Sequence, residues 1–162
     1  MKLQTGLVTR LAVLVALSGA GAFLKFPSPA GTVAMDAVPG YLAAFAYGPG
    51  YGALIAAIGH LCSALVTGFP LTVPFHLLVA IVMAGAGAAA GWLHNRAGSA
   101  AGVVGALLVN GLLGPWLLSY VPNPMGRGLF AALLLPLAVA SAVNAVVAAV
   151  LQKALARTRV LA

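Results

Sequence analysis

The sequence predicts an all-α membrane protein, a six-transmembrane-helix bundle with both termini cytoplasmic. Three observations carry that expectation. Hydrophobic residues make up 63% of the 162 positions and charged residues only 6%, where a soluble domain carries about a quarter charged residues. The apolar blocks are long, rich in Ala, Leu and Val, and divided by Gly and Pro. Such blocks suit helices spanning a bilayer rather than the short alternating segments of an outer-membrane barrel. Basic residues gather at the ends of these blocks, as membrane topology requires. At about 20 residues per span, the chain has room for six helices and no soluble domain.

The first helix is expected over residues 7–24, with Lys2 and Arg10 at its start. Ala12, Ala16 and Ala20 recur every four residues and put small side chains in a row on one face. Such a row lets another helix approach closely in lipid. The general abundance of alanine is a competing explanation for the spacing. A basic start, a short apolar core and Ala20-Gly21-Ala22 also fit a cleaved signal peptide, and charge does not decide between the two.

Residues 25–36 are the longest interruption in the first half of the chain, and they end at Asp36, its only acidic residue. Pro27 and Pro29 deny this stretch a continuous helix, and Gly31 loosens it further. A loop at a membrane face is expected here, folded over a small-molecule site with Asp36 aimed into it.

The second helix, 37–47, carries Pro39 in its first turn, where proline is tolerated. Gly48-Pro49-Gly50 then makes a turn into the third helix, 51–66. A single kinked helix over 38–66 would be about 43 Å long, well beyond a ~30 Å hydrocarbon core. Two helices fit better. A loop over 67–74 leads to the fourth helix, 75–93, which ends at His94-Asn95-Arg96. The fifth spans 99–120, with Pro115 near its far end. A proline-rich loop over 121–128 precedes the sixth, 129–151, and a tail with Lys153, Arg157 and Arg159.

With six spans, Lys2, Arg10, Arg96, Lys153, Arg157 and Arg159 share one side and only Lys25 and Arg127 face the other. The positive-inside rule puts the termini in the cytoplasm and the three proline-rich loops outside. The net charge of +7 therefore reflects topology, not nucleic-acid binding. The lone Cys62 allows no internal disulfide, and no Walker A loop is present to bind ATP. No cofactor is expected. No metal site is expected either, because His60, His76 and His94 lie at different depths.

Polar side chains inside spans are expensive and usually mark a site or a helix contact. His60, Ser63 and Thr67 form an i, i+3, i+7 stripe leading toward the outer face. A hydrogen bond to a neighbouring helix is the structural alternative for His60, and interfacial placement is the alternative for His76. Asn110 lies mid-span on the fifth helix, with Trp116 further out, where an aromatic belt is its more usual role. Ser141 and Asn144 share a face in the inner half of the sixth helix, and packing explains them as readily as binding. Asp36 fits a helix N-terminus or an ion pair with Lys25. Ligand contact is favoured, since a carboxylate suits vicinal hydroxyls or a cationic nitrogen.

No G-x-S-x-G elbow accompanies Ser63, so hydrolase chemistry is not indicated. Proton and ion pathways usually hold several intramembrane charges, and the helix cores here contain no acidic residue. The chain reads as a binding bundle without its own engine.

The helix count, the Ala12/Ala16/Ala20 face and the outer loop after the first helix resemble the S-components of energy-coupling factor (ECF) vitamin transporters. More narrowly, Phe26-Pro27-Ser28-Pro29-Ala30-Gly31-Thr32-Val33-Ala34-Met35-Asp36 looks like the first outer loop of S-components assigned to α-ribazole. So do Tyr47-Gly48-Pro49, Gly59-His60-Leu61 and Thr67-Gly68-Phe69-Pro70. The resemblance covers nearly the whole chain. It implies a substrate-capture subunit in the prokaryotic cell membrane, not an enzyme, that works with a transmembrane T-component and two ECF ATPases. It assigns the T-component contact to Ala12, Ala16 and Ala20. It also implies that Thr32 and Asp36 of the outer loop cover the solute and that His76, Asn110 and Trp116 line it, beside His60 and Thr67 of the polar stripe. Phe26, Tyr41 or Trp116 would stack on the benzimidazole, while Asp36 and a histidine or asparagine would hold the ribose.

Overall fold

The computed structural model describes residues 5–28 and 31–158. The chain enters as helix α1 (Thr5–Gly21) and passes into two short strands, β1 (Lys25–Ser28) and β2 (Gly31–Ala34). The stretch expected to be an irregular loop is thus an antiparallel hairpin, with Lys25 opposite Ala34 and Pro27 opposite Thr32. Its extended backbone has a local cause. Phe26 and Ser28 each precede a proline, and the proline ring pushes the residue before it out of the helical region. Pro27 lacks an N–H for the ladder, which limits pairing and keeps the hairpin short.

Helix α2 (Val38–Tyr47) has ten residues and reaches only about 15 Å. Gly48, at φ 98 and ψ 175, ends it, and α3 (Pro49–Thr67) starts at once with proline in its first turn. Gly68 and Phe69, both at positive φ, turn the chain at the far end of α3. Thr72 then caps α4 (Val73–Ala106) by accepting a hydrogen bond from the Phe75 amide at 3.2 Å.

Helical conformation continues from α4 through a π-helical segment, Leu107–Leu113, into α5 (Gly114–Leu118). A straight helix over these 46 residues would be about 70 Å long. It breaks at Gly98, whose φ of 83 and ψ of −177 are non-helical and in a region essentially restricted to glycine. The chain folds back there. A Cβ on Gly102 would meet the Ala90 carbonyl at 2.9 Å, and one on Gly114 would meet Val82 at 2.8 Å. Helix α6 (Gly128–Ala156) is the last helix among the described residues and includes Pro136.

Helices α2, α3 and α4 form the centre of the bundle, and α2 also packs on α1 and α6. Their approach is set by missing side chains. A Cβ on Gly40 would meet Ala56 at 2.8 Å, and Gly52 and Gly87 touch backbone to backbone. The core that results, including Tyr41, Leu42, Phe45, Ile55 and Met83, carries six alanines from α2, α3 and α4 combined with Ala145, Ala148 and Ala149 of α6. Small residues at helix interfaces are the usual means of tight packing in lipid, where backbone approach and dispersion replace the hydrophobic effect.

Leu54, Leu65, Ile81, Leu135 and Val150 point outward and are at least half exposed. A bundle that is apolar outside as well as inside is made for a bilayer. Three helical stretches among the described residues are long and apolar enough to cross one: Pro49–Thr67, Val73–Leu118 and Gly128–Ala156. Helix α1 is apolar but shorter.

Candidate functional site

A cavity of about 330 Å³ opens at the hairpin end of the bundle. Its polar wall comprises Asp36, His60, Ser63, Thr67, Asn110 and Asn144, and Lys25 stands with them. Val79, Met83, Leu137 and Ala140 supply the apolar wall, with Pro70 and Ala37. The volume is at the lower end of the range for small-molecule sites, about 300–1,000 Å³.

Each polar group is held by a recognisable local device. Asp36 sits in the turn between β2 and α2, brought down by the close approach of α1 to that linker. A Cβ on Gly21 would meet the Met35 carbonyl at 2.6 Å. Gly59 has the same effect on α3, where a Cβ would meet the Ser18 hydroxyl at 2.6 Å and the Asp36 carbonyl at 3.6 Å. The bare backbone at Gly59 therefore lets α1, the linker and α3 converge beside His60.

Asn110 lies in the π-helical segment, a wide turn often found at functional sites. Its side-chain amide donates to Ser141 Oγ at 2.8 Å, tying the segment to α6. A Cβ on Gly111 would meet Ala138 at 2.9 Å, so only glycine allows α6 this close. Asn144 Nδ2 donates to the Ala34 carbonyl at 3.0 Å and to the Ala140 carbonyl at 2.8 Å. The first of these bonds pins the hairpin to α6. Asn144 Oδ1 is buried with no partner among the described residues.

The Asp36 carboxyl is pushed above its ordinary value of 3.8 by burial, against which the Ser63 hydroxyl and the backbone amides of Asp36 and Ala37 pull it down. Lys25 shares the cavity wall but is not among the groups that shift this carboxyl. A buried carboxylate without a cation is costly unless hydrogen-bond donors reach it.

Of the side chains expected at the solute, Asp36, His60, Thr67 and Asn110 stand together on the cavity wall. Three others do not. Trp116 lies on the outside of the bundle, 47% exposed and edge-on to Tyr120 at 5.2 Å. Its position on α5 puts it toward the surroundings because the other face of that short helix, Gly114, Pro115 and Leu118, is the buried one. Tyr41 is wholly buried in the helix core, with a hydroxyl that has no partner among the described residues. His76 lies behind His60, its Nδ1 at 3.1 Å from His60 Nε2. The side chains of Phe26 and Thr32 lie outside the described residues.

Three wall residues escaped the sequence reading as solute contacts: Ser63, Asn144 and Lys25. Ser63 carried a signal, since it falls three residues after His60 on the same helical face. Asn144 also carried one, as an amide inside an apolar helix. Its link to a hairpin 110 residues earlier in the chain was not legible. Ala12, Ala16 and Ala20 are exposed on α1, while Leu14, Ser18 and Gly21 face the bundle. His94 is remote, stacked on Phe45 with ring centroids 4.8 Å apart. Among the described residues no three metal-ligating side chains converge.

A family model described as the ECF transporter substrate-specific component matches residues 7–156. The chain belongs to the ECF transporter S-components. A solved structure of the S component of a bacterial ECF transporter matches this fold with a TM-score of 0.61. Sequence identity is 20%, over 93% of each chain, so that likeness is one of fold. Comparison with curated proteins gives no match. S-components are substrate-binding subunits of membrane transporters and not enzymes, which makes this chain a multi-pass membrane protein. The cavity beneath the hairpin is the candidate place for its solute.

Proposed function

We propose that this S-component captures α-ribazole from outside the cell and hands it to partner subunits for ATP-driven uptake. The observation that supports it most is the grouping of the Asp36 carboxyl with amide, hydroxyl and imidazole groups over an apolar wall, with Lys25 on the same wall. Such a wall favours a solute rich in hydroxyl donors with a flat apolar part. The ribose hydroxyls meet Asp36, Asn110 and Asn144, while Val79, Met83 and Leu137 receive the benzimidazole. A methionine thioether is a good neighbour for an aromatic ring. The resemblance of residues 26–36 to α-ribazole S-components supports the particular solute.

In this reading the chain crosses a prokaryotic cell membrane six times, with α1, α2, α3, the two rods either side of Gly98, and α6. Both termini are cytoplasmic and the hairpin faces out. The exposed Ala12, Ala16 and Ala20 row on α1 meets the T-component, and two ECF ATPases supply the energy. A bulky Ala16→Trp variant is then expected to bind solute normally and to lose uptake.

The deciding experiment is calorimetric titration of the purified chain with α-ribazole, beside riboflavin, thiamine and free dimethylbenzimidazole. One-to-one binding of α-ribazole alone supports the assignment. Binding of another vitamin keeps solute capture and replaces the solute. Failure of a well-folded sample to bind any of them sinks the proposal.

A further inference from the structure

His76 does not line the cavity, yet it controls what His60 can offer there. The two rings stack with centroids 5.3 Å apart and planes 26° from parallel, and one hydrogen bond joins His60 Nε2 to His76 Nδ1 at 3.1 Å. One of these nitrogens must carry the proton and the other must lack it. The far side of His76 decides which. Its Nε2 is buried with no partner among the described residues. Phe69, held at φ 50 where bulky residues are rare, packs edge-on against the ring at 5.6 Å.

A proton on His76 Nε2 would be an orphaned buried N–H, the rarest kind of unsatisfied group, whereas a bare lone pair is better tolerated. The favoured arrangement therefore has His76 protonated on Nδ1 and donating to His60 Nε2. His60 must then carry its own proton on Nδ1. That nitrogen is neither hydrogen-bonded nor sealed off among the described residues, and His60 stands on the cavity wall.

We propose that His76 is a positioning residue that fixes His60 as an Nδ1–H donor, so the cavity selects solutes with an acceptor atom near their hydroxyl donors. The acceptor is an unsubstituted ring nitrogen or an oxygen without a proton to give. His60 then reads the acceptor while Asp36 takes the hydroxyls. The inference deepens the solute-capture reading and rests on it. A benzimidazole nucleoside meets the requirement through its free ring nitrogen. An analogue with carbon at that position does not.

The test has two arms. In the first, ligand-free protein labelled with ¹⁵N-histidine is studied by NMR, with only three histidines to assign. His60 is expected with a protonated Nδ1 and an unprotonated Nε2, and His76 with the same pattern. The reverse pattern overturns the proposal whether or not any solute binds. The second arm compares α-ribazole binding by wild type, His76→Asn and His76→Leu. Asparagine keeps an amide donor near the Nδ1 position, so His76→Asn should bind within about twofold of wild type. Leucine leaves His60 free to change tautomer and should lose about five- to tenfold, the worth of one neutral hydrogen bond. Equal losses in both variants would reduce His76 to packing. If α-ribazole fails to bind wild type, the solute assignment falls and the tautomer result still decides the role of His76.

Discussion

Replacing Asp36 with asparagine separates a binding carboxyl from a structural one, because the two roles move stability in opposite directions. Burial raises the folded-state carboxyl above its ordinary value of 3.8. A group whose folded pKa is raised binds its proton more tightly folded than unfolded. Its contribution to stability is fully present below about 3.8 and is lost as pH rises through the folded value. At neutral pH the carboxyl is therefore a burden on the empty protein. Asp36→Asn, nearly the same shape and unable to ionise, removes that burden.

The variant is expected to melt higher than wild type at pH 7, with the difference closing as pH falls toward 3.8. Binding moves the other way. A hydrogen bond to a charged acceptor contributes about 1.5–3 kcal/mol, so α-ribazole affinity should fall roughly ten- to a hundredfold. The assay is a pair of measurements in one detergent: melting by intrinsic fluorescence across pH 4 to 8, and calorimetric titration at pH 7. Unchanged affinity would refute the assignment of Asp36 to the solute. A lower melting temperature at pH 7 would refute the reasoning about burial, since it would mean that Asp36 has a stabilising partner.

Asn144→Ala removes the bond to the Ala34 carbonyl, and hydrogen exchange over residues 25–34 should rise while solute dissociation speeds up about tenfold; unchanged exchange would mean that α6 does not hold the hairpin. Gly98→Ala meets open space but inherits a glycine-only backbone, and should cost about 1–3 kcal/mol by thermal melting with little change in solute affinity. Trp116→Ala, on the outside of the bundle, should leave α-ribazole affinity within about twofold, and a larger loss by calorimetry would put the indole in contact with solute.

Several features of the site were legible because they are local. The prolines of residues 25–36 forbid a helix by their own chemistry, and the chain's one acidic residue, at the end of that stretch, is conspicuous in any fold. His60, Ser63 and Thr67 share a face by helical arithmetic alone. The placement of Trp116 was not legible for a related reason. Its depth along the chain could be estimated, but its direction is set by which face of α5 packs on α6, and Pro115 and Leu118 decide that.

Composition and punctuation by themselves determined the class of protein: apolar blocks of membrane length must be helical, because lipid leaves no other partner for the backbone. Gly48 and Gly98 break the helices through their own conformational freedom. Tertiary structure alone decided who meets whom. Asn144 reaches Ala34 across 110 positions of chain, and His76 meets His60 instead of the cavity. Tyr41 disappears into the core between helices. These outcomes depend on how each helix is rotated about its axis, set by close contacts such as Gly59 on Ser18 and Gly52 on Gly87. Dozens of small residues in this sequence could have formed such contacts, and only the packed bundle selects the ones that do.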